Sequence, residues 1–392
     1  MGLAIFLSLV LAAAGTAQGQ PACAGAVDSL DEDYGAPVRQ LLRPEGHEHN
    51  LYYSRDPWNA DGSLMVGIHS DLEQRNWKVV LLDGDGCFLK ELFPVDQYDW
   101  RLVWDRNKPE ILYTWRNSSL YQFNVHTGEA RLLKSFAPAR LMPNGPSLNQ
   151  AGDRILVITA DGTFRSFSLP DMDGERTFQM QFPDGCFPAW DKPRYTGYRN
   201  FVFASCSSGN GSRQAVLIYD DTGEVHHVFH GVGGGGHHDF SPDGKWAYFK
   251  LPSGPRGGDR TPLEIHVVNI DGTEDRILHS IPAADARYVH NLHLAWPSRV
   301  NDWFIASFFP NQANLPPSYA PPLDEILQLR LDGNHRFLAR TRTAYSTAGG
   351  RTGGPQDMFW AQPLARPSAD GRRIVFNSNR SGTIDLCILT VP

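Results

Sequence analysis

The chain has no basic block. Its net charge is −7 at pH 7, which excludes binding to nucleic acid through phosphate neutralisation. Its five cysteines form no C-x-x-C pair, so the spacing of a zinc site is missing. No G-x-S-x-G elbow occurs, which argues against a peptidase-type hydrolase. The "SPDG" and "SADG" turns lack the spacing of sialidase Asp boxes. Past the first residues there is no uninterrupted apolar run of about eighteen residues, the length that reads as a membrane-spanning helix.

What is present is turn chemistry. Among 392 residues, 37 are glycine, 28 are proline and 11% are aromatic, the balance of a turn-rich β protein. The opening "MGLAIFLSLVLAAAGTAQGQ" reads as a secretory signal peptide over 1–17, leaving 18–392 as a single domain. A secreted, extracellular protein is therefore expected. Three sequons, at Asn117, Asn210 and Asn379, fit glycosylation in a eukaryotic host. In an oxidising compartment the cysteines can pair. Cys186 and Cys206 are expected to do so, and Cys387, mid-strand, to be a buried free thiol.

A hairpin signal recurs through the chain. "WNADGS" at 58–63, "WDRNKPE" at 104–110, "LNQAGDR" at 148–154 and "WDKPRYTGYRN" at 190–200 are followed by "FSPDGK" at 240–245, "WPSRVND" at 296–302 and "RPSADGR" at 366–372. Each follows a short apolar segment and precedes a β-rich run such as "LMVGI" or "RIVFNS". A second turn follows in six of the repeats, at 83–86, 126–129, 172–175, 221–224, 271–274 and 332–335. The last repeat lacks it, and "APVRQLLRP" at 36–44 has no other partner. The pattern predicts an all-β fold, a seven-bladed β-propeller whose last blade is completed by an N-terminal strand.

In such a blade, residues just before the innermost strand and just after the second strand meet on one face of the ring. His49 and His69, on either side of the "NADG" turn, are expected to reach the same place. The same rule collects Tyr98, Trp115, Arg116, Arg140, His238, His290, His293, Gln356 and Trp360 on that face. A concave, polar, aromatic-lined face is a binding site for a polar ligand. A solvated channel would use some of these residues too, and a non-catalytic carbohydrate-binding or scaffold propeller is the alternative. Asp and Glu lie mostly in turns, so the paired carboxylates of a glycoside hydrolase are not evident. Histidine, tyrosine and arginine suit β-elimination at a uronic acid instead. A base takes the C5 proton, an acid protonates the leaving O4, and arginine stabilises the carboxylate as enolate character develops.

With two histidines twenty residues apart in an early blade, His49 and His69, the chain resembles the propeller-type polysaccharide lyases. These are ulvan lyases, fungal L-rhamnose-α-1,4-D-glucuronate lyases and, more distantly, oligogalacturonate lyases. The resemblance implies His49, His69, Tyr98 or Tyr113, and Arg116 as catalytic residues. Trp115, Arg140, His238, His290, Asn311 and Trp360 are the expected substrate contacts. His238, His290, His293 and Gln356 become candidates for a divalent cation, calcium or manganese, none being strictly required. The His-x-His that precedes the last blade in oligogalacturonate lyases is replaced here by "WAQPLARPS". The expected substrate is an acidic polysaccharide or oligosaccharide with a rhamnose-α-1,4-glucuronate bond, cleaved to a 4,5-unsaturated uronate. No nucleic acid or membrane partner is expected, and the protein is expected to be a monomer.

Overall fold

The computed structural model describes residues 23, 25–43, 45–96, 102–142, 146–179, 186–188, 195, 200–208, 211–220, 222–230, 237, 239–251, 262–286, 288–310, 324–343 and 359–392. The first sheet shows how the repeated turns build a blade. Gly46–His49, Leu64–Asp71, Lys78–Asp83 and Phe88–Pro94 pair in chain order as an antiparallel meander. The "NADG" turn is tied by its own side chains. Asn59 Oδ1 accepts the Leu64 amide at 3.1 Å, and Asp61 Oδ1 accepts the Ser63 amide at 2.9 Å. Gly62 closes the turn at φ 75°, a conformation that strains other residues. The glycines of the six expected second turns, Gly86, Gly128, Gly174, Gly223, Gly272 and Gly333, likewise all have positive φ.

Strand alternation then sends side chains to two different seams. Val66, Ile68, Val79 and Leu81 pack with Leu102, Trp104 and Leu112 of the second sheet. Met65, Val80 and Leu82 face the other way, onto Leu386 and Ile388 of the last sheet. A sheet covered on both faces by its sequence neighbours, with the first packed on the last, is the arrangement of a β-propeller.

The described strands form seven sheets, of which five have four strands, one has five and one has three. Counted as complete four-stranded blades the number is five, a correction to the expected seven blades. The sheet at 246–281 has three described strands, and the segment 231–236 before it lies outside the described residues. The last sheet gains a strand. Pro37–Leu41 pairs with Asp385–Thr390, which closes the ring through the N-terminal segment as expected. It is not the outermost strand, however, because Ala26–Leu30 folds back onto it.

The cysteines form one bond that was not expected. The disulfide joins Cys23 to Cys87, tying the N-terminal arm to the outer turn of the first sheet. Cys186 and Cys206 are opposite one another in backbone register, and their side chains lie outside the described residues. Cys387 is a buried free thiol, as expected, and burial pushes it up to about 12. Of the sequons, Asn117 is in an exposed turn, Asn379 is buried at 7% exposure, and Asn210 lies outside the described residues. The signal segment 1–17 also lies outside them.

The arm also reaches the sheet at 289–340. Asp31 Oδ2 accepts the Arg340 amide, Tyr34 stacks on Phe337 at 5.6 Å, and Arg340 pairs with Asp33 and with buried Glu325, each at 3.1 Å. Beside Glu325, burial and then the neighbouring negative charge push the Asp324 carboxyl up to about 6. Its folded value is above its unfolded one, so its contribution is full below about pH 4 and is lost as pH rises through about 6. Asp324→Asn should therefore raise stability at pH 8 by about 1–3 kcal/mol and change little at pH 4. Thermal melts of both proteins at the two pH values check this. Equal melting at pH 8 would show that the buried carboxylate is fully compensated.

Candidate functional site

The strand Gly46–His49 is buried along its whole length and carries three polar side chains, His47, Glu48 and His49. Glu48 is directly opposite His69 in the ladder, and His49 is opposite Ile68. Opposed residues in an antiparallel pair share a face, and the next residue along turns to the other. His49 and His69 therefore point to opposite faces, which corrects the expectation that both imidazoles reach one place.

On one face, Glu48 Oε1 accepts from His69 Nδ1 at 3.0 Å and from Arg43 Nη1 at 2.7 Å. Glu48 is 2% exposed, whereas the His69 side chain keeps 12% of its surface. Among the described residues His69 Nε2 has no hydrogen-bond partner. On the other face His49 is wholly buried, stacked on Trp77 at 5.1 Å and against Trp360 at 5.0 Å. Burial, and then the charges His47 and His69 would carry, hold its imidazole well below the usual histidine range. His47 accepts the Ile384 amide at Nδ1 and so donates from Nε2 to the Leu72 carbonyl.

A second group joins sheets across the ring. Arg366 donates to Asp56 Oδ1 at 2.5 Å, to Asp239 Oδ2 at 2.8 Å and to the Tyr53 carbonyl at 3.2 Å. Burial works against its charge, but the two carboxylates outweigh burial and hold the guanidinium above its ordinary value. Asp239 Oδ2 also accepts the Trp296 amide. Arg366 and Asp239 line a polar cavity with Arg106, Ser147, Tyr195 and Ser298. That cavity is at the end of the ring where the "NADG"-type turns lie, opposite the face expected to bind. The rings of Tyr53, His237, His293 and Phe309 pack together, His237 to His293 at 4.3 Å and His293 to Phe309 at 5.1 Å.

The remaining candidates scatter. Tyr113 is 1% exposed in the seam of the second and third sheets and donates to Asp105 Oδ2 at 2.6 Å, burial driving its phenol well above the ordinary range. Trp115 is in the same core. Arg116 is exposed, donating to the Pro94 carbonyl over the Phe93 ring, and Arg140 is exposed. Trp360 is buried against His49. Tyr98, His238, Asn311, Gln356 and the His290 side chain lie outside the described residues. Sequence reading missed Glu48 and Arg366. Arg366 had a signal: with repeats aligned on their turn glycines, Gly371 and Gly244, it and Asp239 occupy the same position.

No family model and no curated protein matches the chain. Solved structures do. A complex of oligogalacturonate lyase with manganese aligns with a TM-score of 0.65 at 15% identity, covering 94% of this chain and 96% of that one. The oligogalacturonate lyase of Vibrio parahaemolyticus aligns with a TM-score of 0.65 at 11% identity, covering 94% and 97%. At such identity the likeness establishes the propeller fold.

The manganese of that complex raises the question of a matching donor set here. Among the described residues one group brings three ligand atoms within 4.8 Å, Asp220, Glu224 and His226, at an outer hairpin turn. There Asp220 is occupied by the Thr222 and Glu224 amides and by His226. Near the ring centre His237 Nδ1 is engaged with the Leu292 carbonyl, and His293 is enclosed by aromatic rings. Three of the four expected ligands, His238, Gln356 and the His290 side chain, lie outside the described residues, and no chemistry is routed through a metal.

Proposed function

We propose that the protein is a secreted lyase that cleaves a uronate-containing polysaccharide or oligosaccharide by β-elimination. The observation that carries this reading is the pairing of His69 with buried Glu48. It presents an imidazole with one nitrogen anchored and the other open, the arrangement of a general base. The fold shared with two oligogalacturonate lyases over nearly the whole chain supports the class. Within it, the spacing of His49 and His69 favours a rhamnose-α-1,4-glucuronate bond as substrate, with oligogalacturonate the nearest alternative. Arg116, exposed at the end of the strand Ile111–Arg116, is the side chain proposed for the uronate carboxylate.

The test is to incubate the protein with a rhamnose-capped glucuronate glycan and, separately, with oligogalacturonide, following the ultraviolet absorbance of the unsaturated uronate. A rise with the first substrate supports the full reading, and a rise with the second alone moves the specificity. A second reading, a carbohydrate-binding propeller without catalysis, is favoured by the burial of His49, Tyr113, Trp115 and Trp360. Glycan binding by calorimetry with no absorbance change on either substrate selects it.

A further inference from the structure

We propose that Glu48 is the positioning residue of this site, fixing His69 in the tautomer that leaves Nε2 as the proton acceptor. The chemistry assigned to His69 rests on the lyase reading. The orientation rests on geometry alone.

Three features of the seam converge on one ring. The ladder register puts Glu48 directly opposite His69, on the same face. The carboxylate is 2% exposed, and its Oε1 accepts both the His69 ring and the Arg43 guanidinium, while Oε2 is buried without a hydrogen-bond partner among the described residues. Arg43 is held in turn over the Phe88 ring at 3.9 Å. The third feature is Gly46. A Cβ there would come within 2.5 Å of His69 Cε1 and would also meet the Ser70 carbonyl. The missing side chain makes the floor on which the imidazole lies.

A buried ion pair is weak evidence for stability, because desolvation consumes much of the attraction. What this one supplies is direction. A carboxylate accepts only, so Nδ1 must carry the hydrogen, and in the neutral ring Nε2 then carries the lone pair. In the elimination, Nε2 takes the C5 proton as the C5–H bond breaks. Its electron pair forms the C4–C5 double bond, the C4–O4 bond breaks, and the leaving oxygen takes a proton from a general acid. A ring free to adopt the other tautomer would present a hydrogen to C5 in part of the population.

The test uses full-length protein with ¹⁵N-labelled histidine, the His69 signal assigned through His69→Asn. Nitrogen shifts should show protonated Nδ1 and bare Nε2 in the wild type, and a mixture of tautomers in Glu48→Leu. In Glu48→Leu, kcat should fall about 10²-fold with KM nearly unchanged, as expected for lost orientation of a base. Gly46→Ala, which keeps the carboxylate but fills the floor, should shift the same signal. Circular dichroism at the assay temperature confirms folding, and Glu48→Gln serves if the leucine variant does not fold. A wild-type signal with hydrogen on Nε2, or tautomers unmoved by loss of the carboxylate, overturns the proposal. A wild type inactive on both glycans overturns the lyase reading, and the nitrogen shifts still decide what Glu48 does.

Discussion

Arg366→Met should destabilise the protein by about 3–5 kcal/mol, the cost of removing one partner from a buried charge network. Arg366 is 4% exposed and Asp239 3%, so the charge left on Asp239 cannot be handed to water. The guanidinium also reaches the Tyr53 carbonyl, so one side chain joins three points from two other inner segments of the ring. Methionine keeps similar bulk and loses all three contacts. Arg366→Lys should recover only part of the loss, because an ammonium cannot reproduce the planar fork toward two carboxylates. Denaturant midpoints of the three proteins, with unchanged slopes, measure the effect. A loss under about 1 kcal/mol would mean that water reaches the pair as it reaches a surface ion pair.

The elements legible in the sequence were those written locally. Turn glycines at regular intervals carry the blade plan, and all six second turns have the backbone that only glycine adopts without strain. The missing final strand was legible as an imbalance between the two ends, and Pro37–Leu41 fills it. What the sequence could not express was parity. The segment between Gly46–His49 and Leu64–Asp71 is not a tight hairpin turn, so nothing local sets whether position 48 or position 49 is opposite His69. A slip of one residue exchanges the faces, and the exchange makes Glu48 the partner of His69 and sends His49 to the core. The Cys23–Cys87 bond was hidden for a related reason, since five cysteines allow many pairings and only the folded arm brings these two together. Tyr113 shows a third limit. Its spacing suits the open end of a strand, yet its partner Asp105 makes it a satisfied core phenol.

The two histidines that sequence spacing treats alike should therefore fail in opposite ways. His69→Ala should lower turnover by about 10²–10⁴-fold, the range for loss of general acid–base assistance, equivalent to about 3–5 kcal/mol of barrier. Its side chain retains solvent contact and only one anchored nitrogen, so melting should shift little. His49→Ala should instead cost about 2–5 kcal/mol of stability, because it opens a cavity between Trp77 and Trp360. Its turnover per folded molecule should fall far less than that of His69→Ala. The burial of His49 also has a pH signature. His49 is held neutral in the fold, its value lowered by burial, while the unfolded chain protonates it below about 6.5. Its contribution is present above that value and declines as the pH falls, so His49→Phe should flatten the acid side of the stability curve. Melting curves from pH 5 to 8 and initial rates on the same preparations decide the matter. If His49→Ala is stable and inactive while His69→Ala turns over normally, the active face is the one lined by Trp77 and Trp360, and the Glu48 seam is only a structural joint between the first and last sheets.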